Sequence, residues 1–230
     1  MLATYINCVL VLLGSIIGLL FKNKISPRFM DAMTKALALC VMGIGITSAI
    51  QTEDTLCVIV CMVAGTLIGV ALRIEQRLDR MGEWIKGKVM KSGDTSRFTE
   101  GFVTASLLYC VGSMAIMGAM EAGINGNYSI LVSKGVIDGV TSISFAATMG
   151  VGVAFSVVPM LLYQGALTLL AGVVAPVLSE AMILEMSAVG GTVIMGIGIN
   201  MLFPEKRIPV GDMLPAIFLP IAYIALTGMI

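Results

Sequence analysis

The sequence predicts an all-α polytopic membrane protein of about eight transmembrane segments, organised around inverted three-helix repeats. Three observations carry that prediction: a composition poor in charge, a series of apolar runs of membrane-spanning length, and a glycine motif that occurs twice.

Of the 230 residues, 58% are hydrophobic and only 12% charged, whereas a soluble domain carries about 25% charge. Lipid, not water, therefore faces most of this chain. Eight spans of about 20 residues need roughly 160 positions, which leaves room for loops but not for a separate soluble domain, so residues 1–230 read as a single membrane domain. The 14 basic and 14 acidic side chains cancel. With no net charge and no basic face, nucleic-acid binding is excluded.

The first run, Leu2 to Phe21, has its positive charges (Lys22, Lys24, Arg28) behind it, not before it as a secretory signal would. It reads as a retained helix with the N-terminus outside. Further runs cover about 32–50, 55–72, 99–120, 135–157, 160–178, 186–203 and 213–230, each bounded by charge or proline. Cytoplasmic loops collect Lys and Arg. Alternating from an outside N-terminus, the inner segments hold Lys22, Lys24 and Arg28, then seven basic residues between Arg73 and Arg97, then Lys206 and Arg207. This asymmetry places both termini outside.

Residues 73–97 form the one long polar stretch. Ile74, Leu78, Met81, Trp84, Ile85 and Val89 recur at helical spacing while Arg77, Arg80, Glu83 and Lys88 take other faces. The pattern fits a cytoplasmic amphipathic helix lying on anionic lipid, or an extension of the third span packed on the bundle.

Val41-Met42-Gly43-Ile44-Gly45-Ile46 in the second span recurs as Ile194-Met195-Gly196-Ile197-Gly198-Ile199 in the seventh, five of six positions matching at an offset of 153. At that offset the third span falls on the eighth, and the first lies near the sixth after a short gap. Residues 1–72 and 158–230 thus read as two copies of a three-helix unit. Equivalent helices lie five crossings apart, an odd number, so the copies are inverted, as in many secondary transporters. Mid-helix, paired glycines also weaken the helix, which suggests a backbone-exposing stretch at Gly43, Gly45, Gly196 and Gly198. Gly14-x-x-x-Gly18 and Gly65-x-x-x-Gly69 are close-packing faces, within one chain or across a homodimer.

Between Asp138 and Glu180 the chain carries no charge and is rich in Gly, Ser and Thr. The fifth and sixth spans either cross with a tight turn at Pro159 or are broken and re-enter. A charged residue inside a span is costly and marks a functional candidate. Asp138 stands one helical turn from Lys134, and Ser142, Tyr163 and Gln164 follow in the same charge-free region. With the four motif glycines and Asn200, these residues form the expected ion or solute path. Asn7 reads as a helix-joining amide, and Glu185 as an acid favoured at a helix start.

Catalysis finds no support: there is no histidine, no GxSxG elbow and no second mid-span carboxylate beside Asp138. No cofactor is expected, and no metal, since the five cysteines are scattered through apolar runs. The absence of GxxxxGK[ST] argues against an ATP motor.

The combination of Asn7 with Gly14-Ser15-x-x-Gly18, Leu107-Leu108-Tyr109-Cys110-Val111-Gly112 leading to Met117-Gly118, Lys134-x-x-x-Asp138-Gly139, and Tyr163-Gln164-Gly165 with Leu169-Leu170-Ala171 resembles the bacterial YdfK/YqgA-type integral membrane family of unknown function. The resemblance covers essentially the whole chain and implies a bacterial inner-membrane protein. It supplies no ligand residues. The expected function is a transporter or channel for a small ion or solute; the alternative is a membrane scaffold or sensor acting through residues 73–97.

Overall fold

In a computed structural model the chain is helical, with no strand among the described residues, which are 1–22, 26–80, 95–205 and 207–228. Most of the amphipathic segment, including Trp84, lies outside them, as do Lys24 and Lys206. The helices are α1 (Leu2–Lys22), α2 (Pro27–Ala49), α3 (Thr55–Leu72), α4 (Thr95–Cys110), α5 (Ser113–Ile124), α6 (Ser129–Met149), α7 (Gly152–Phe155), α8 (Val157–Leu169), α9 (Ala171–Val174), α10 (Glu180–Leu202), the 3-10 helix η1 (Val210–Phe218) and α11 (Leu219–Thr227). A further helical stretch covers residues 74–80. Among the described residues seven segments are long and apolar enough to cross a bilayer, and α4 with α5 forms an eighth if the pair, bent by 57°, counts as one span.

Helix ends follow local chemistry. Asp54 caps α3 by accepting from the N–H groups of Leu56 and Cys57 at 2.9 and 3.2 Å, and Ser179 caps α10 through the N–H of Met182. The turn after α6 lies at Gly150, whose φ of 87° suits a residue without a Cβ, not at Pro159. Pro159 sits in the first turn of α8, where a missing N–H costs nothing. The segments expected at 135–157 and 160–178 therefore fall at Ser129–Met149 and Gly152–Leu169, each of full spanning length. The broken span is elsewhere. The run read as continuous over 99–120 stops at Cys110 and restarts at Ser113, turning at Gly112 with φ 121°.

The chain divides into two compact units, Met1–Thr34 with Ser96–Val177, and Lys35–Thr95 with Leu178–Ile230. Each unit joins helices distant in sequence, and their bounds fall within both proposed repeats, at residues 34–35 and 177–178.

In the first unit α1 lies along α6. Asn7 and Leu10 meet Gly135, Gly14 meets Gly139 and Ser142, and Gly18 meets Ile143 and Ala146. Residue numbers rise together on both sides, so the two helices are parallel. A Cβ on Gly14 or Gly18 would run into backbone oxygen, and the Gly14–Gly18 face is thus spent inside the chain. In the same unit Gly123 of α5 abuts Thr168 of α8.

The second unit holds two antiparallel pairs. On α3, Gly65 meets Ala216 and Gly69 meets Asp212 of η1. Between α2 and α10, a Cβ on Gly45 would lie 2.7 Å from the Gly191 carbonyl oxygen and 2.7 Å from Met195 Cγ, while one on Gly198 would lie 3.0 Å from the Ala38 oxygen and 2.4 Å from Met42 Cγ. The offset of 153 carries Ala38, Met42 and Gly45 onto Gly191, Met195 and Gly198. Each glycine therefore meets the counterparts of its partner's neighbours. Both helices run unbroken through their motifs, so the exposed backbone expected at Gly43, Gly45, Gly196 and Gly198 is not found. Two of these glycines serve close packing instead.

Polar clips complete this unit. Glu185, 3% exposed, accepts from the Thr52 hydroxyl and from the N–H groups of Glu53 and Asp54, which fastens the α2–α3 turn to α10. Asn200 donates to the Ile208 carbonyl at 2.8 Å and accepts from its N–H at 2.7 Å. Glu75 accepts from the Gly211 N–H while Asp212 accepts from the Glu75 N–H, a reciprocal cap of two helix starts. Burial pushes the Glu75 carboxyl above its ordinary range, and the Gly211 N–H works against that rise.

The packing separates two neighbouring glycines experimentally. A Cβ at Gly43 meets nothing within 4 Å, so Gly43→Ala should raise stability by up to about 1 kcal/mol through helix propensity. Gly45→Ala should lower it by about 1–3 kcal/mol through overpacking. Thermal unfolding in detergent measures both, and shifts of the same sign would contradict the α2–α10 contact.

Candidate functional site

The first unit encloses a chain of polar side chains in an otherwise apolar interior. It begins on α6, where Lys134 and Asp138, 6% and 5% exposed, form an ion pair one helical turn apart. Asp138 is the tenth of the 21 residues of α6, so the pair sits at mid-helix, not at the outer mouth as the run 135–157 would place it. The pair's formation follows from cost: either charge alone in such surroundings is strongly disfavoured, and pairing offsets that penalty.

Asn7 on α1 extends the chain. Its amide Nδ2 donates to Asp138 Oδ2 at 3.4 Å and to Gln164 Oε1 on α8 at 3.2 Å. Both partners are acceptors, which fixes the orientation of this amide and leaves Asn7 Oδ1 buried with no hydrogen-bond partner. Gln164 then donates through Nε2 to the Tyr109 carbonyl at 3.5 Å. That carbonyl belongs to the last turn of α4, immediately before the break at Gly112. A helix end leaves its final carbonyls without intrahelical donors, and Gln164 serves one of them.

A second branch returns to α6. Ser142 donates to the Asp138 carbonyl at 2.6 Å, so the Tyr109 hydroxyl, 2.7 Å away, is the donor to Ser142. The Lys134 ammonium lies 5.8 Å from the centre of the Tyr109 ring, within cation–π range. Below Gln164, Thr168 donates back to its carbonyl, and Thr4 of α1 approaches Thr168 at 3.5 Å.

Of the residues expected to line a path, the structure brings Asp138, Ser142 and Gln164 together. Tyr163, beside Gln164, is half-buried and takes no part in this hydrogen-bond chain. Gly43, Gly45, Gly196, Gly198 and Asn200 belong to the second unit, where Asn200 holds the Ile208 loop. Asn7, Lys134, Tyr109, Thr168 and Thr4 join them without having been expected in the path. Asn7 and Lys134 were legible as polar residues of α1 and α6, whereas Tyr109 carried a signal only through the Leu107–Gly112 stretch of the family resemblance.

The chain matches the family model described as "Protein of unknown function (DUF554)" over residues 2–225. It belongs to that family. Within it, the chain is 31% identical over 224 residues to the "Uncharacterized membrane protein YdfK" of Bacillus subtilis (strain 168), covering 96% of this chain and 94% of the relative. It is 29% identical over 218 residues to the "Uncharacterized protein YqgA" of Escherichia coli (strain K12), covering 94% and 92%. No solved structure matches. Family membership together with the apolar helices makes this a multi-pass membrane protein.

The ion pair predicts a non-additive mutational response. Lys134→Met or Asp138→Leu alone leaves one buried charge unpaired and should cost about 3–5 kcal/mol, whereas the two substitutions combined should recover most of that loss. A cycle of thermal or denaturant unfolding measurements gives the coupling. Additive losses would place the two charges in separate, wetter surroundings.

Proposed function

We propose that this protein is a passive or ion-coupled transporter for a small ion or solute, with its site at the Asn7–Lys134–Asp138–Gln164 cluster. The observation that carries the reading is the junction of a mid-helix ion pair with the broken span at Gly112. Non-helical backbone at membrane depth is tolerated where it is buried in protein or lines a wet cavity, and transporter sites characteristically combine discontinuous helices with intramembrane charge. Here a helix break, an unpaired amide oxygen and two opposite charges belong to one hydrogen-bonded group. The activity is passage of an unaltered solute without ATP.

Two further observations support the reading. The equivalent surroundings of Gly45 and Gly198, at opposite directions of travel, support inverted repeats. In an eight-crossing topology α1 and α6 are the first and fifth spans and run in the same direction, and their parallel course within the first unit supports that count. With the Lys and Arg distribution, this favours an inner-membrane protein with both termini outside.

Two measurements test the proposal. Reporter fusions should place Met1, the Gln51–Thr55 loop and the C-terminus outside and residues 73–97 inside; a cytoplasmic C-terminus would contradict eight crossings. In proteoliposomes carrying tracer sodium, potassium or chloride, wild-type protein should conduct at least one ion. The folded Lys134→Met/Asp138→Leu variant should lose that flux. Wild-type flux in this variant would reduce the pair to a structural anchor, and a flux-inactive wild type that binds a cytoplasmic protein through residues 73–97 would favour the scaffold reading.

A further inference from the structure

Three arginines gather where α3 ends. Arg73, Gln76, Arg77 and Arg80 follow one another at helical spacing on one side of the chain, and with Ala71 and Leu72 they line an open pocket of about 430 Å³. Among the described residues, none of the three guanidinium groups pairs with a carboxylate. Arg73 also terminates α3. Its φ of 53° and ψ of 47° are left-handed, its N–H reaches the carbonyls of Gly69 and Val70, and its own carbonyl accepts from the Arg77 N–H at 3.1 Å to open the stretch 74–80.

Glycine is the usual residue at such a stop. A side chain there crowds its own backbone, and Arg73 is the one non-glycine residue with positive φ among the described residues. The backbone gains nothing from an arginine at this position. What the arginine adds is a guanidinium at the rim of the pocket.

The same helix carries an apolar lane. Met62, Val63, Thr66 and Leu67 line a shallow groove of about 340 Å³ on α3, with Val63 and Leu67 59% and 66% exposed. Val63, Leu67 and Ala71 succeed one another every fourth residue, so the lane leads along α3 to the basic pocket. Leu67 and Arg73 are about 9 Å apart along the chain axis at helical rise. An apolar lane ending in guanidinium groups that pair with no carboxylate among the described residues, at the end of a membrane-spanning helix, has the layout of an anionic amphiphile.

From this arrangement we infer that Arg73, Gln76, Arg77 and Arg80 bind the phosphate of an anionic phospholipid whose acyl chain lies along the Val63–Leu67 groove. Guanidinium forks match phosphate oxygens in a bidentate manner, and basic residues beside a span end meet the headgroup layer directly. The lipid belongs to the leaflet in which α3 ends. The site is independent of the transport reading, since it uses no residue of the Asp138 cluster.

The test uses the full chain in detergent, with bound lipid counted by native mass spectrometry and thermal stability followed during titration with phosphatidylglycerol, phosphatidylcholine or inorganic phosphate. Phosphatidylglycerol should bind and stabilise, phosphatidylcholine should bind at least tenfold more weakly, and inorganic phosphate should have no effect at matched concentration. Arg73→Gly keeps the helix stop and should leave the protein as stable as before or more so, yet weaken phosphatidylglycerol binding about fivefold; Arg77→Gln should weaken it similarly, in keeping with the contribution of one basic residue near an anionic surface. Unchanged affinity in the Arg73→Gly/Arg77→Gln variant, or equal binding of the two lipids, would overturn the inference. Stabilisation by inorganic phosphate equal to that by phosphatidylglycerol would overturn the lipid assignment in favour of a soluble phosphate ligand.

Discussion

Backbone approaching backbone without an intervening Cβ is the constraint on which both units depend. A bilayer offers no hydrophobic drive to press helices together, so association rests on close van der Waals fit and internal hydrogen bonding. Gly14, Gly18, Gly65, Gly69, Gly45 and Gly198 provide that fit at the seams of three helix pairs. The polar clips follow from the same approach. Once α1 lies against α6, Asn7 is within reach of Asp138; once η1 lies against α3, Gly211 and Asp212 meet Glu75.

The two units use polar groups differently. In the second, Glu185, Asn200, Glu75 and Asp212 each satisfy backbone groups at turns and helix starts, which is the work of holding loops where water is scarce. In the first, the side chains of the Asp138 cluster bond chiefly to one another, and the Asn7 Oδ1 within that cluster is left without a partner; among the described residues Ser15 Oγ in the same unit and Ser187 Oγ in the second are likewise buried without one. Buried polar networks that are incompletely satisfied are costly.

Much of the fold was legible from composition and periodicity because a bilayer imposes length and apolarity on every span. Glycine spacing also announced the packing faces, and the rarity of intramembrane charge singled out Asp138. What stayed hidden had a common cause. The break at Gly112 interrupts a run that is apolar on both sides, and Gly118 looks no different in sequence although it sits within continuous helix. Only the φ of Gly112 distinguishes them. Likewise Gly150, not Pro159, ends α6, since neither residue is flanked by charge. Asn200 and Gln164 are alike in type and placement, and tertiary contact alone decides that one clips a loop while the other joins the cluster.

The bond from Gln164 to the Tyr109 carbonyl ties the elbow of a bent helix to a side chain of another. Gln164 in turn grips Asn7, and Asn7 grips the same carboxylate oxygen that Lys134 holds. The elbow and the ion pair are therefore linked like a crank and a latch. Two amides thus bridge the bend of the α4–α5 span and the carboxylate of the ion pair, so the elbow and the charge share one hydrogen-bonded path inside the first unit.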